Sequence, residues 1–236
     1  DSLLYRAATD NDTDLTFRNT MKPWYSQKEE ILTVKTENPG VRNEVRISNP
    51  KAKFLVTDRY VDTEEGILVT SELRCESGRV NIPRFGKCFR LDESFDDVTY
   101  VGRCGESYCD MKEQFPVREV SCKVRDMTEP NLRPQESGNR CDCTRAAVSD
   151  GNVKVVFKAV DKSFELAVKP YSDWALCRMK HREDEKRTGT YVTIQAFQQG
   201  IGTGACGPGV MPEYQYTAKK DYTLKFLICV EKCDKE

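Results

Sequence analysis

Short segments in which apolar and polar residues alternate are the dominant pattern of this chain. They recur roughly every 10–14 residues with turn-forming residues between them, which is typical of antiparallel β-structure. The predicted strands are Ile31–Thr36, Val41–Ser48, Phe54–Asp62, Gly66–Cys75, Arg84–Leu91, Val98–Gly102, Arg118–Lys123, Val153–Ala159, Phe164–Pro170, Thr190–Phe197 and Tyr222–Val230. Turn signals lie at Asn38–Gly40, Asn49–Pro50, Glu64–Gly66 and Ser149–Gly151, and a short helix is predicted within Tyr171–Arg182. The pattern predicts an all-β fold, an antiparallel two-sheet sandwich.

Composition limits the number of domains and the classes of partner. The chain has 236 residues, of which 38% are hydrophobic and 32% charged, enough for one large all-β domain or two small ones. No linker or repeat divides it, so we expect one domain over residues 1–236. The net charge is −1 and no basic stripe with interleaved aromatic residues is present, which argues against a nucleic-acid partner. The apolar run Phe226–Val230 is far shorter than the ~20 residues of a membrane span, so we expect no membrane partner.

The cysteine and histidine content bears on metal binding and on the cellular compartment. The chain has eleven cysteines but a single histidine, His181, and it has no repeated Cys-x-x-Cys pair. We therefore expect free, mostly buried thiols, no metal site and no cofactor. Reduced thiols indicate the cytoplasm. The first residues lack the features of a signal peptide, and the periplasm stays open as an alternative.

Four segments interrupt the alternating pattern and combine glycine, proline and a few polar residues. They are Leu4–Asp12 (LYRAATDND), Val101–Asp110 (VGRCGESYCD), Glu129–Arg145 (EPNLRPQESGNRCDCTR) and Gly200–Pro212 (GIGTGACGPGVMP). Residues of these types build loops whose backbone must take one particular shape. We refer to them below as the motif segments.

The motif segments resemble, in the same order, those of the C-terminal "small chain" domain of glycoside hydrolase family 2 β-galactosidases. In that family they read approximately as RAPxDND, GxGPxENYxD, PxENGxR and GxGxxSWGP. The resemblance implies a large two-sheet supersandwich similar to galactose mutarotase. It also implies that the chain begins inside the domain, since family members carry a further strand or two before the first motif.

The resemblance also implies where catalysis occurs. A retaining glycosidase needs two carboxylates about 5 Å apart, and in this family both lie on a (β/α)8 barrel that precedes the small-chain domain. Glu106 and Glu136 correspond to the family's ENY and ENG glutamates, which are not the catalytic pair. One interpretation is that each accepts backbone N–H bonds and stabilises its own turn. The other is that they face the sugar, and Asp110 and Arg140 are possible partners in either case.

The glycine-rich fourth segment is where the family's domain reaches the active site. There the family places a tryptophan that stacks on the sugar, and this chain has Gly204-Ala205-Cys206 with Cys206 at the tryptophan position. The glycine-rich loop is retained, but a thiol provides no stacking plane. The resemblance therefore leaves open whether galactose is the preferred sugar. A packing role for Cys206 is the alternative.

Two further residues are candidates for substrate binding. Arg84 matches the family's PRxG strand, where it either points into the concave face or joins an ion pair between the sheets. His181 matches an HR pair of the family and is either catalytic or structural. Trp24 and Trp174 are interpreted as packing residues.

Three hypotheses of function follow. The leading one is a non-catalytic C-terminal sandwich of a family 2 β-galactosidase, partnered by its barrel and a β-galactoside or other carbohydrate. The second is an aldose 1-epimerase, or mutarotase, that uses a histidine and a glutamate as acid and base. The third is an independent carbohydrate-binding module, which needs an exposed aromatic platform.

Overall fold

The computed structural model describes residues 2–13, 21–201 and 210–233. Over these ranges the chain forms fourteen β-strands and one short α-helix, α1 (Asp173–Leu176). The strands are β1 (Ser2–Leu3), β2 (Lys28–Thr36), β3 (Val41–Asn49), β4 (Ala52–Thr63), β5 (Gly66–Gly78), β6 (Arg84–Leu91), β7 (Asp97–Arg103), β8 (Val117–Lys123), β9 (Arg140–Cys143), β10 (Arg145–Ser149), β11 (Val153–Ala159), β12 (Phe164–Lys169), β13 (Thr190–Gln198) and β14 (Tyr222–Lys232). Single 3₁₀ turns lie at Asn11–Thr13, Lys22–Ser26, Lys112–Gln114, Val124–Met127, Arg182–Asp184 and Pro212–Tyr214. None of the helices in these ranges is long and apolar enough to cross a membrane.

The strands form two sheets in which every pair of neighbours is antiparallel. The smaller sheet has the order β1-β6-β13-β12-β9, and the larger has the order β2-β3-β4-β5-β14-β11-β10-β7-β8. The two sheets share one hydrophobic core between them. The predicted all-β, antiparallel two-sheet sandwich is therefore confirmed.

All eleven strands predicted from the alternating pattern are present in the structure, and their ends differ from the predicted ones by no more than three residues. Three strands were not predicted. β1 has only two residues, and β9 lies inside a glycine- and proline-rich motif segment. β10 carries three consecutive buried residues, Ala146 to Val148, and therefore shows no alternation. The predicted helix is shorter than expected, because only α1 and the 3₁₀ turn Arg182–Asp184 form there.

The predicted turns connect neighbouring strands of the larger sheet. Asn49 Oδ1 accepts the backbone N–H groups of Lys51 and Ala52 at 2.8 and 2.9 Å, which closes the β3–β4 turn. Between β2 and β3, Gly40 has φ +98°, and a Cβ atom there would lie 2.0 Å from the Tyr60 carbonyl oxygen. Only glycine fits that position.

Large aromatic side chains fill the space between the sheets. Fully buried aromatic side chains of this core include Trp24, Tyr100, Phe54, Phe85, Phe157, Phe164 and Phe226. Trp24 stacks on Phe54 with ring centroids 5.8 Å apart, which packs the 3₁₀ turn Lys22–Ser26 against the larger sheet. Each such side chain contributes about 1.5–3 kcal/mol by leaving water.

One ion pair crosses this apolar layer. Lys87 of the smaller sheet lies between the inward-facing Phe85 and Phe89, and its Nζ is 2.5 Å from Oδ2 of Asp58 on the larger sheet. Ser71 donates to the other carboxylate oxygen at 2.6 Å. Burial lowers the pKa of Lys87, although the Asp58 carboxylate opposes that shift. The pair fixes how the two sheets face one another, because both side chains are buried and solvent cannot readily replace either partner.

Removing one member of this pair is expected to destabilise the chain strongly. Lys87→Met leaves Asp58 charged, buried and unpaired, and should lower the free energy of unfolding by about 3–5 kcal/mol in urea titrations. Lys87→Met combined with Asp58→Leu should recover most of that loss. The control is Arg59→Ala, which breaks the exposed Arg59–Glu72 pair and should cost no more than about 1 kcal/mol. A Lys87→Met variant as stable as the wild type would contradict the argument.

Candidate functional site

The two faces of the smaller sheet differ in polarity. On β13, Val192 and Ile194 belong to the hydrophobic core, so the residues between and beside them point to the opposite, outer face. Buried polar side chains occupy that outer face, namely Arg84, Glu165, Lys169, Gln195 and Gln198, and we call them the polar layer. Such groups require partners when buried, and the motif segments together with α1 supply many of them.

A chain of ion pairs connects the polar layer to the third motif segment. Lys169 Nζ lies 2.7 and 2.8 Å from the two carboxylate oxygens of Glu136 and 2.8 Å from Oδ1 of Asp173 at the start of α1. Asp173 also accepts a bond from Arg84, which donates in addition to the Tyr5 carbonyl. The side-chain partners of Glu136 are therefore the Lys169 ammonium group and the Gln198 amide, where the first interpretation expected backbone N–H groups. Arg84 does join an ion pair, but with α1 rather than between the sheets.

These ion pairs favour the charged forms of Asp173 and Lys169 despite burial. Burial alone would raise the pKa of Asp173, but Arg84 and Lys169 outweigh it and hold that pKa below its usual value. Burial opposes the charge of Lys169 as well, and the carboxylates of Asp173 and Glu136 raise its pKa nonetheless. The result is a charged network within the fold, which resists reorganisation.

The first motif segment packs beside the Glu136 turn. Arg6, fully buried, donates to both carboxylate oxygens of Asp12 at 2.6 and 3.2 Å, and Asp12 also accepts from the backbone and hydroxyl groups of Thr9. The Glu136 N–H donates to the Ala8 carbonyl at 3.4 Å. Arg6 thus folds its own segment into a tight loop that lies against the third segment.

Asn139 connects the second and third motif segments to the polar layer. Its amide donates to Glu165 at 2.7 Å and to the Ser107 carbonyl at 2.9 Å, while its carbonyl accepts from Gln195 at 2.7 Å. Burial raises the pKa of Glu165 to about 7, although the bond from Asn139 and one from the Gln198 backbone oppose the shift. Glu165 is therefore an acid that changes charge near neutral pH.

Glu106 and Arg140 are close in sequence to this cluster but have different partners. Glu106 accepts from the Tyr108 hydroxyl at 2.8 Å and from the backbone of Gly138, and burial raises its pKa. Arg140 donates to the Tyr100 hydroxyl at 3.0 Å and to main-chain carbonyls. The structure therefore supports a turn-holding role for Glu106. The expected pairing of Arg140 with a glutamate is replaced by bonds to neutral groups.

The base of the glycine-rich fourth segment is anchored by the other segments. Gly200 N–H donates to the Tyr214 carbonyl, and the Asn11 side chain donates to the Ile201 carbonyl, both at 3.3 Å. A Cβ atom on Gly200 would lie 2.6 Å from Cγ of Asp110, so any larger residue there would require the Asp110 side chain to move. Gly204, Ala205 and Cys206 lie outside the described residues.

The remaining candidates are not part of the polar network. His181 is exposed, and its backbone N–H donates to Asp184 at 3.0 Å within its own turn. Trp24 is fully buried, as expected of a packing residue. Trp174, in contrast, is 41% exposed and stacks on Tyr5 with ring centroids 4.4 Å apart. Packing alone therefore does not account for Trp174.

Three residues central to the site were not predicted from sequence: Lys169, Asp173 and Glu165. A signal was present on β12, because Glu165, Ala167 and Lys169 share one face of the strand while Leu166 and Val168 share the other. This alternation on β12 predicts that the face of the strand opposite Leu166 and Val168 is polar. Nothing in the sequence predicts that Asp173 would meet both Lys169 and Arg84.

Several cysteines lie against the polar layer and are chemically inert there. Burial raises the pKa of Cys109 to about 12, and it raises the pKa values of Cys141 and Cys143 as well. A protonated thiol is a poor nucleophile. The ten cysteines in the described part of the chain are all free of disulfides. Across the same part, no three Cys, His, Asp or Glu side chains are placed to hold a metal ion.

Comparison with known proteins identifies the family. The β-galactosidase small-chain family matches residues 2–228. The chain belongs to that family. Three β-galactosidases illustrate the relationship within it. Those of Staphylococcus xylosus, Streptococcus thermophilus and Priestia megaterium are 29%, 28% and 27% identical, over 95%, 94% and 95% of this chain. The alignments cover 24%, 23% and 22% of those proteins, so this small-chain sequence spans about a quarter of their length.

Solved structures show a more distant similarity. A galactose mutarotase-like protein from Lactobacillus casei ATCC 334 aligns with a TM-score of 0.48 and 11% identity, over 84% of this chain and 72% of that one. A protein described as a putative aldose 1-epimerase from Escherichia coli K12 aligns with a TM-score of 0.44 and 9% identity, over 87% and 69%. Similarity at this level implies nothing about function.

Titration of Glu165 is expected to make stability depend on pH. Its folded pKa of about 7 lies above its ordinary value of 4.5, so between these values the folded chain holds a proton that the unfolded chain has released. Stability relative to Glu165→Gln should therefore fall by roughly 2–3 kcal/mol as the pH rises from about 4.5 to above 7. Urea titrations across that range measure it.

The control for this measurement is Glu119→Gln, which changes an exposed carboxyl on β8. Its stability difference from wild type should stay nearly constant across the same pH range. A constant difference for Glu165→Gln as well would show that Glu165 does not titrate between these values.

Proposed function

We propose that this chain is the C-terminal, non-catalytic sandwich of a longer glycoside hydrolase family 2 β-galactosidase. In that enzyme it would partner a (β/α)8 barrel and help to complete the pocket for a terminal β-galactoside. Membership of the small-chain family and the fraction of its relatives that it spans both support the proposal. A cytoplasmic location is part of the proposal, and the disulfide-free cysteines favour it.

The observation that carries the proposal is the anchored base of the glycine-rich segment. Gly200 is bonded to Tyr214 across the base, and Asn11 holds Ile201 from the first motif segment. Gln199 N–H also donates to the Pro83 carbonyl at 2.8 Å, which ties the base to β6. A loop fixed at its base can present its tip at a defined place, as a contribution to a neighbouring pocket requires.

The state of the acidic residues supports a non-catalytic role. Retaining glycosidases use a nucleophilic carboxylate and a separate acid about 5 Å apart on either side of the glycosidic bond. Here Glu136 is held in an ion pair by Lys169, and Glu165 is buried and bonded to Asn139. Both acids have structural partners in the sandwich, so we assign hydrolysis to the barrel. Arg84, Glu106, Glu136, Arg140 and His181 remain proposed rather than established contributors to sugar binding.

The 236-residue chain alone is therefore expected not to hydrolyse o-nitrophenyl β-D-galactoside, because the catalytic carboxylates lie on the barrel. The longer polypeptide should hydrolyse it under the same conditions and serves as the control. Turnover by the chain that disappears in Glu136→Gln would overturn the non-catalytic assignment. Acceleration of galactose mutarotation that is lost in His181→Ala would favour an epimerase instead.

Replacing Cys206 tests whether the loop reaches the substrate. In the longer enzyme, Cys206→Trp should restore a stacking face worth about 1 kcal/mol and change the galactoside KM several-fold. Cys206→Ala is the matched control and should alter KM much less, since neither side chain stacks. If both variants equal wild type in kcat and KM for all β-galactosides tested, the loop does not contact substrate and Cys206 is a packing residue.

A further inference from the structure

A cleft opens on the outer face of the smaller sheet, beside α1. Its volume is about 260 Å³, and its walls include aromatic rings, hydroxyl groups and one carboxylate of the ion-pair network. Pockets for drug-sized ligands begin at about 300 Å³. The cleft therefore suits a smaller molecule, of the size of a single sugar ring.

One wall of the cleft is an aromatic platform. Trp174 lies nearly parallel to Tyr5, with an angle of 12° between the rings and 4.4 Å between their centroids. Tyr5 is buried, while Trp174 keeps 41% of its surface exposed. The Tyr5 ring therefore packs against one face of the Trp174 indole and holds it in one orientation. An exposed ring that is already fixed can stack on the apolar face of a ligand at little entropic cost.

The polar part of the cleft is centred on Asp173. Its Oδ1 accepts a bond from Lys169 and its Oδ2 accepts one from Arg84. A carboxylate oxygen can accept more than one hydrogen bond, so each oxygen retains capacity for a ligand hydroxyl. Tyr191 and Thr193, neighbours on β13, also line the cleft and carry hydroxyl groups that both donate and accept.

The charges around the cleft select against anions. Asp173 and Glu29 line it together with Lys169, which is already bonded to Glu136 and Asp173. The positive charge is therefore compensated before any ligand arrives, and Glu29 adds a further negative charge. A neutral polyhydroxylated ligand meets no repulsion here, whereas a phosphate or carboxylate does.

We propose that this cleft binds a neutral monosaccharide, whose apolar face stacks on Trp174 and whose hydroxyls donate to Asp173. The residues that line the cleft belong to other segments than Gly200–Pro212, and the proposal does not depend on the proposed function. Sugar recognition requires an aromatic plane beside fixed hydrogen-bond acceptors, and the cleft provides both from residues held by the fold. Trp174 thereby becomes a binding residue.

The two tryptophans of the chain make a direct test possible. In a ¹H–¹⁵N spectrum of the 236-residue chain, the indole N–H signal of Trp174 should shift on titration with D-galactose or D-glucose. The signal of the buried Trp24 should not shift. A Kd of the order of 1 mM is expected for a site of this size. Inorganic phosphate, the anionic probe, should leave both signals unchanged.

Variants then locate the bound sugar. Trp174→Ala should weaken binding at least about tenfold by calorimetry, whereas Trp174→Phe keeps a ring and should retain most of it. Asp173→Asn should weaken binding, and Thr193→Val provides a second polar test should Asp173→Asn disturb folding. Val230→Ala, which trims an exposed apolar residue on β14, should bind like wild type.

Two outcomes would overturn the proposal. One is an unchanged Trp174 signal with both hexoses up to about 50 mM, well above the expected Kd. The other is binding that survives Trp174→Ala but is lost in Cys206→Ala, which would place the sugar at the glycine-rich segment instead. Because Cys206→Ala is not expected to affect the cleft, failure of this proposal and failure of the proposed function give different results.

Discussion

The ammonium group of Lys169 joins parts of the chain that are far apart in sequence. It rises from β12, contacts both oxygens of Glu136 in the third motif segment, and contacts Asp173 in α1. Through Asp173 it is linked to Arg84 on β6. A buried charge pair adds little net stability over an apolar replacement, but breaking it is costly. The geometry that this network fixes, more than its energy, explains why loops rich in glycine and proline take one arrangement over the sheet.

The smaller sheet has mainly apolar residues on its inner face and polar residues on its outer face, although the polar layer is buried as well. A sheet face exposed to water can carry polar residues without partners, but a covered one cannot. The motif segments and α1 therefore act as a third layer, whose side chains bond to part of the polar layer and leave Gln195 Oε1 and Gln198 Oε1 without a hydrogen-bond partner among the described residues. Asn139 shows this most clearly, since it bonds Glu165, Gln195 and the Ser107 carbonyl together. The family's sequence motifs correspond largely to this layer, although the third motif segment also contains β9.

The strands were predictable because alternation is a local property, visible within six or seven residues. β10 was missed because both of its faces are covered, which removes the alternation. Residues of the candidate site were predictable mainly within the segments that resemble the family motifs. Glu136 was identified by its motif, but its partner Lys169 is 33 positions away and Asp173 belongs to another element. The exposure of Trp174 likewise depends on how α1 lies over the sheet. Pairings between distant residues are set by the assembled fold, and a single sequence carries no record of them.

The order of strands in the larger sheet has a consequence for how the chain reaches its folded state. β14, the last strand along the chain, lies between β5 and β11 at the centre of that sheet. Until Tyr222–Lys232 has left the ribosome, the β2–β5 meander and the strands β7, β8, β10 and β11 have no shared partner, and each exposes an unpaired edge. Closing the gap requires contacts across more than 150 residues, between β14 and β5, which makes it a slow step. The edges of β5 and β11 therefore stay open from the time those strands are made until β14 follows, and that interval is when association with other chains competes with folding.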